Sequence, residues 1–158
     1  MQDARLLSAR KLTPADDPRN GQAARRLKVL VVEDDPDGAE TLALILELYG
    51  FDVRVMPDGL TALDAAQADQ PDVILLDLGL PGLDGHEVAR RLTARAAWKR
   101  PFLIAVTGYG SDTDRRRSAQ AGVDLHLVKP VDPEQLVGLL RKFRAIVLPE
   151  EAPPRVAV

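Results

Sequence analysis

Four polar side chains stand where four short apolar runs end: Asp34 beyond Lys28-Val-Leu-Val-Val, Asp77 after Val73-Ile-Leu-Leu, Thr107 after Phe102-Leu-Ile-Ala-Val, and Lys129 after Leu125-His-Leu-Val. Glu33, next to Asp34, adds a third carboxylate. Carboxylates gathered in one crevice repel one another and call for a cation. The chain has no cysteine and no histidine at ligand spacing, so the donors are oxygens and the candidate ions are hard ones. Mg²⁺ is favoured because it binds through one or two carboxylates and keeps waters that a phosphate can replace, with Mn²⁺ as a substitute. An aspartate beside such an ion, with a lysine and a hydroxyl aimed at the same point, is equipped to receive a phosphoryl group. Asp77 would act as nucleophile and form an acyl phosphate, while the ammonium and the metal neutralise charge on the phosphoryl oxygens. Thr107 would hydrogen-bond the product.

Such residues must be delivered to one place by the elements that carry them. Short β-rich apolar runs alternate with helical patterns, which predicts βα units on a parallel sheet. The expected strands are 28–33, 51–55, 72–77, 101–107 and 124–128. The first helix starts near Pro36, places Ala39, Leu42, Ala43 and Leu46 on one stripe, and closes at Gly50. The second spans about 58–68. The third follows Asp84 with Val88, Leu92 and Ala96 on one face, and the fourth begins at Ser111, whose hydroxyl can cap it with Asp114 three residues later. The fifth covers about 133–146. Five units in this length suit an open doubly wound sheet of order 2-1-3-4-5, since an eight-unit barrel needs ~250 residues. In that order the first and third strands flank the crevice where ligands bind, and these are the strands that end in Glu33-Asp34 and Asp77.

The flanks and the charge bound the function. Residues 1–26, with Thr13-Pro-Ala-Asp-Asp-Pro-Arg-Asn-Gly, read as a linker or disordered leader, and the prolines after Leu148 read as a Pro-rich tail over 148–158. One domain is expected over 27–147. The leader carries six Lys/Arg against three Asp/Glu, which leaves residues 27–158 with fifteen against twenty-one. An acidic body lacks the footprint that neutralises phosphates, so nucleic acid is not an expected partner. With no apolar run of ~20 residues and no apolar signal region, a soluble cytoplasmic chain without membrane contact is expected.

The residues carry a close resemblance to the receiver domain of two-component response regulators. It covers residues 27 to about 147 and rests on Val31-Val-Glu-Asp-Asp, Leu75-Leu-Asp-Leu, Leu80-Pro-Gly-Leu-Asp-Gly, Thr107-Gly and Val128-Lys-Pro. The intervals match as well: Thr107 stands thirty residues beyond Asp77, and Lys129 twenty-two beyond Thr107. The resemblance implies a flavodoxin-like fold with five strands and five helices. It implies Asp77 as phosphoacceptor, Asp34 as a direct Mg²⁺ ligand, Glu33 as a ligand through water and Gly79 as a ligand through its backbone carbonyl. It further implies Thr107 as the switch hydroxyl, Lys129 as the phosphate-binding lysine and a cis bond before Pro130. The partner it implies is a histidine kinase or histidine phosphotransfer protein, and the signal would pass on by protein contact, without an output domain. The chain is then a single-domain regulator or a receiver from a hybrid kinase. Receivers of this kind often dimerise through the face of the fourth helix and fifth strand.

Several positions depart from the family pattern. His126 stands where most receivers place the aromatic that swings inward with the switch hydroxyl, and it can titrate near neutrality. Gly79 and Tyr109 lie two positions after Asp77 and Thr107, where family members tune the access of water to the acyl phosphate. Arg115-Arg-Arg reads as a solvated face beside Asp112 and Asp114, and Trp98 as packing. A phosphatase working through an aspartyl phosphate would need a second acid where Gly79 stands. A flavin or nucleotide module would need a glycine-rich loop in place of Glu33-Asp-Asp-Pro.

Overall fold

A computed structural model describes residues 25–94 and 99–149. The leader up to Ala24, Ala96 and Trp98, which the sequence assigns to the third helix, and the tail from Glu150 lie outside the described residues.

The strands are β1 (Lys28–Val32), β2 (Asp52–Met56), β3 (Val73–Leu76), β4 (Phe102–Thr107) and β5 (Leu125–Val128), and the helices are α1 (Pro36–Leu48), α2 (Gly59–Asp69), α3 (Gly85–Ala94), α4 (Asp112–Gln120) and α5 (Pro133–Val147). All strand pairs are parallel and the order is β2-β1-β3-β4-β5, as the alternating pattern predicts. β1, β3, β4 and β5 begin or end one residue inside the expected bounds, and β2 is shifted by one to end at Met56. Glu33 and Asp77 fall just past their strands, yet each still donates its amide to a neighbouring strand, Glu33 to Met56 and Asp77 to Val32, while its side chain joins the carboxylate cluster.

Both faces of the sheet are covered, which is why β1 and β3 read as nearly unbroken Val, Ile and Leu. Alternation along each strand sorts these residues into two cores. Leu30, Val32, Ile74, Leu76, Leu103 and Ala105 pack against α2 and α3 through Ala62, Ala66, Val88 and Leu92. Val29, Val31, Val73, Leu75, Ile104 and Val106 pack against α1 and α5 through Leu46, Leu136 and Leu140. Truncating a fully buried leucine such as Leu76 costs about 2–5 kcal/mol, so this framework is stiff where it carries the site.

Local signals set the helix starts. Asp35 accepts from the Gly38 amide at 3.1 Å and caps α1 with Pro36 following it. Ser111 and Asp114 form the expected capping box on α4. α4 is nonetheless the least anchored helix, with Ser118 as its buried residue. Among the described residues no helix is long and apolar enough to cross a membrane.

Candidate functional site

The site lies at the carboxyl end of the sheet, where β1 and β3 are adjacent and their following helices depart to opposite faces. Glu33, Asp34 and Asp77 each offer a carboxylate oxygen, and the three atoms lie within 4.8 Å of one another. Glu33 and Asp77 are half-buried and Asp34 is exposed. Lys129 reaches across from the end of β5, its Nζ 3.0 Å from Asp77 Oδ2 and 2.5 Å from Glu33 Oε2. The opposite oxygen of Asp77 accepts from the Gly79 amide at 2.8 Å. Three acids face one ammonium in this cluster, so a divalent cation would balance it, and oxygen-only donors suit Mg²⁺.

The backbone holds these groups in register. Lys129 donates its amide to the Thr107 carbonyl at 2.8 Å, which ties the lysine to the end of β4, and the Lys129–Pro130 bond is cis. Burial pulls the proton affinity of Lys129 down, but its hydrogen bonds to Glu33 and Asp77 and their charge outweigh this and leave it above the ordinary value of 10.5. Thr107 is fully buried, and its hydroxyl accepts from the Tyr109 amide at 3.3 Å. Tyr109 itself is exposed, with its ring beside Gly79.

His126 is half-buried: Nε2 lies 2.7 Å from the Tyr109 carbonyl and Nδ1 3.0 Å from Ser118 Oγ. The arginine run is not only a solvated face, since Arg115 donates to the His126 carbonyl at 3.3 Å. The structure thus brings Glu33, Asp34, Asp77, Gly79 and Lys129 together, with Thr107 one layer below and His126 linked to that layer through Tyr109.

Two participants escaped sequence reasoning. Ser118 looks like any polar residue of a helix until β5 packs beside it. Gly85 belongs to a recognisable motif, yet its reason is steric: a Cβ there would stand 2.5 Å from Leu78 Cα and 2.9 Å from the Asp77 carbonyl oxygen. Only glycine lets the start of α3 come this close to the backbone beside Asp77.

Fold and cluster together define a doubly wound α/β domain with an acidic, lysine-braced cleft at its switch point. Residues 29–141 match the response regulator receiver domain family, and the chain belongs to it. It is similar to the DNA-binding response regulator MtrA of Mycolicibacterium smegmatis, at 38% identity over 116 residues that make up 73% of this chain and 50% of that protein. The chain therefore spans about half the length of the MtrA relatives it matches. Among solved structures it resembles the Vibrio cholerae chemotaxis protein CheY4, with a TM-score of 0.71 and 28% identity over 75% of this chain and 99% of that one. It also resembles the receiver domain of the sensor histidine kinase PA1611 from Pseudomonas aeruginosa, solved with a magnesium ion in its active-site cleft, with a TM-score of 0.68 and 31% identity over 75% and 98% of the two chains. Receiver domains are phosphoacceptor signalling domains rather than turnover enzymes, bind Mg²⁺ at an acidic site, and work with histidine kinases or phosphotransfer proteins.

Proposed function

We propose that this chain accepts a phosphoryl group from the phosphohistidine of a kinase or phosphotransfer protein onto Asp77, and signals by the resulting change in its protein contacts. One observation carries the reading. The Asp77 carboxylate is held at both oxygens, by the Gly79 amide and the Lys129 ammonium, with carboxylate oxygens of Glu33 and Asp34 within 4.8 Å. One Asp77 oxygen attacks phosphorus, the phosphorus–nitrogen bond breaks, and the imidazole leaves with the bonding pair. Lys129 neutralises charge on the phosphoryl oxygens, which in this state are replaced by Glu33 and Asp77 as its partners.

Asp34 and Asp77, the Gly79 carbonyl and, through water, Glu33 would hold Mg²⁺, which supplies charge neutralisation at the transferring group. Thr107 would then turn its hydroxyl toward the phosphoryl group, releasing the Tyr109 amide, and His126 would follow because it is bonded to the Tyr109 carbonyl. The reading includes a cytoplasmic location, a protein target and no role in nucleic-acid binding for residues 27–147. Contact between two copies through α4 and β5 remains part of it. A second reading, a receiver module of a hybrid kinase, is favoured by the likeness to the PA1611 receiver.

Intact-mass measurement after incubation with acetyl phosphate tests the proposal. The chain should gain one phosphoryl group only with Mg²⁺ present, and Asp77→Asn should gain none. Equal gain by the Asn variant would move the acceptor elsewhere, and no gain by either would reject the reading.

A further inference from the structure

α1 is apolar on two sides. Leu42 and Leu46 face the sheet and join the core there. Leu44 and Leu48, one turn apart on the outer side, are 57% and 75% exposed. Tyr49 extends this outer stripe and is itself exposed, with the Arg141 guanidinium 5.1 Å from its ring centre. Leu60 on α2 and Ile146 on α5 stand singly, which is ordinary for a surface, whereas a helix apolar on both sides is one that is covered on both. The outer face is also acidic. Spacings of three and four residues put Asp37, Glu40, Leu44, Glu47 and Leu48 on one stripe, and the three acids are exposed. α1 holds no lysine or arginine, and none of these acids is in an ion pair among the described residues. The occupant that fits this face brings leucine-sized apolar groups together with positive charge.

The leader of this chain holds such a segment. Arg5-Leu-Leu-Ser-Ala-Arg-Lys-Leu, residues 5–12, has three leucines, three bases and no acid. Its point of entry into the fold lies close to the end of α1. The Arg25 guanidinium is on Asp72 at 2.9 Å, and the Asp52 amide donates to the Leu27 carbonyl at 3.0 Å. Leu48 stands four residues before Asp52, so at most about 14 Å of chain separates this exposed leucine from the strand pair at which the leader enters. Residues 13–24, twelve in all, span up to about 40 Å, against about 20 Å for the length of α1. The segment therefore reaches every part of the outer face.

We infer that residues 5–12 dock on the outer face of α1 in the same chain, with their leucines on Leu44 and Leu48 and their bases among Asp37, Glu40 and Glu47. A contact of this size is weak between separate molecules. The tether changes that, because it holds the segment at an effective concentration of about millimolar, and a Kd of about 1 mM then leaves the face covered half of the time. The covered stripe begins at Asp37, two residues beyond the Asp35 cap that follows Asp34. A docked leader thus keeps other proteins off one flank of the carboxylate cluster, and releasing it opens that flank.

The test uses the full chain. It has no cysteine, so Ser8→Cys takes a nitroxide label at that position alone. In nitrogen-15 spectra the amide signals of Leu44, Glu47 and Leu48 should lose most of their intensity relative to the same sample with the label reduced. Leu92, in the core on the opposite side of the sheet, should keep its own. Reversing the leader charges with Arg5→Glu, Arg10→Glu and Lys11→Glu should restore the α1 signals without touching a described residue. A mixture of labelled chains without nitrogen-15 and unlabelled chains with it should show no loss. Full intensity along α1 in the labelled chain overturns the proposal and leaves the face to another protein. An equal loss in the mixture overturns it in favour of a second copy, and a loss that survives the charge reversal overturns the pairing of bases with acids on which it stands.

Discussion

The two ends of the sheet treat acidic residues in opposite ways. At the amino end, Asp72 is buried and accepts from the Lys28 amide at 2.9 Å, from Arg25 at 2.9 Å and from Lys99 at 3.4 Å. Asp124 repeats the arrangement one strand pair away, accepting from the Leu103 amide at 2.8 Å while Arg100 binds both its oxygens at 3.0 Å. Each of these acids clamps the first amides of a neighbouring strand and has its own cation. At the carboxyl end three acids cluster, and among the described residues Lys129 is the cation set against them, through Glu33 and Asp77. A cleft of about 280 Å³ beside Lys28, Arg54 and Asp69 lies toward the amino end, and there too the acid is paired, Arg54 with Asp69. Charge that is balanced within the fold stabilises it, whereas charge left over is available to a ligand.

The contrast can be broken most completely at Asp77. Asp77→Asn should remove phosphoryl uptake altogether while leaving the urea midpoint close to that of the wild type. Asp72→Ala should do the reverse. Stability should fall by about 2 kcal/mol because the Lys28 amide loses its acceptor, while Arg25 and Lys99 return to solvent, and phosphoryl uptake should persist. Chemical denaturation together with intact mass separates the two variants.

Asp34→Ala sharpens the comparison through its sign. Without divalent cations it should stabilise the fold by about 1 kcal/mol, since it removes repulsion from a crowded cluster. Thermal scans with and without millimolar Mg²⁺ should show a cation-dependent rise in Tm for the wild type that this variant lacks. A loss of stability on removing Asp34 would show that the carboxyl end is balanced after all.

The smallest expected effect is the alkaline behaviour of Lys129. Its proton affinity is higher in the folded chain than its ordinary value of 10.5, so the stabilisation it provides is complete below that value and is lost as pH climbs past the folded one. Urea midpoints between about pH 9 and 11.5 should therefore fall more steeply for the wild type than for Lys129→Met. Parallel curves would mean that the lysine does not brace the acids.

Sheet order and the meeting of Glu33, Asp34 and Asp77 were legible in the sequence. Period-two and period-3.6 patterns declare strands and helices locally, and the right-handed connection of parallel strands leaves few ways to arrange five βα units. Ser111, Asp114 and Pro36 announced their helix starts for the same reason, since a cap is satisfied within four residues of itself. What tertiary structure alone decided depends on distances between groups remote in the chain. Gly85 is required by the approach of Leu78 and Asp77 backbone, Asp72 is defined as structural by Arg25, Lys28 and Lys99, and Ser118 matters because His126 arrives on another element. A hydrogen bond reaches only about 3 Å and a pattern of residue types carries no distances, so which acid is spent on the fold and which is left for chemistry is settled only when the strands are in place.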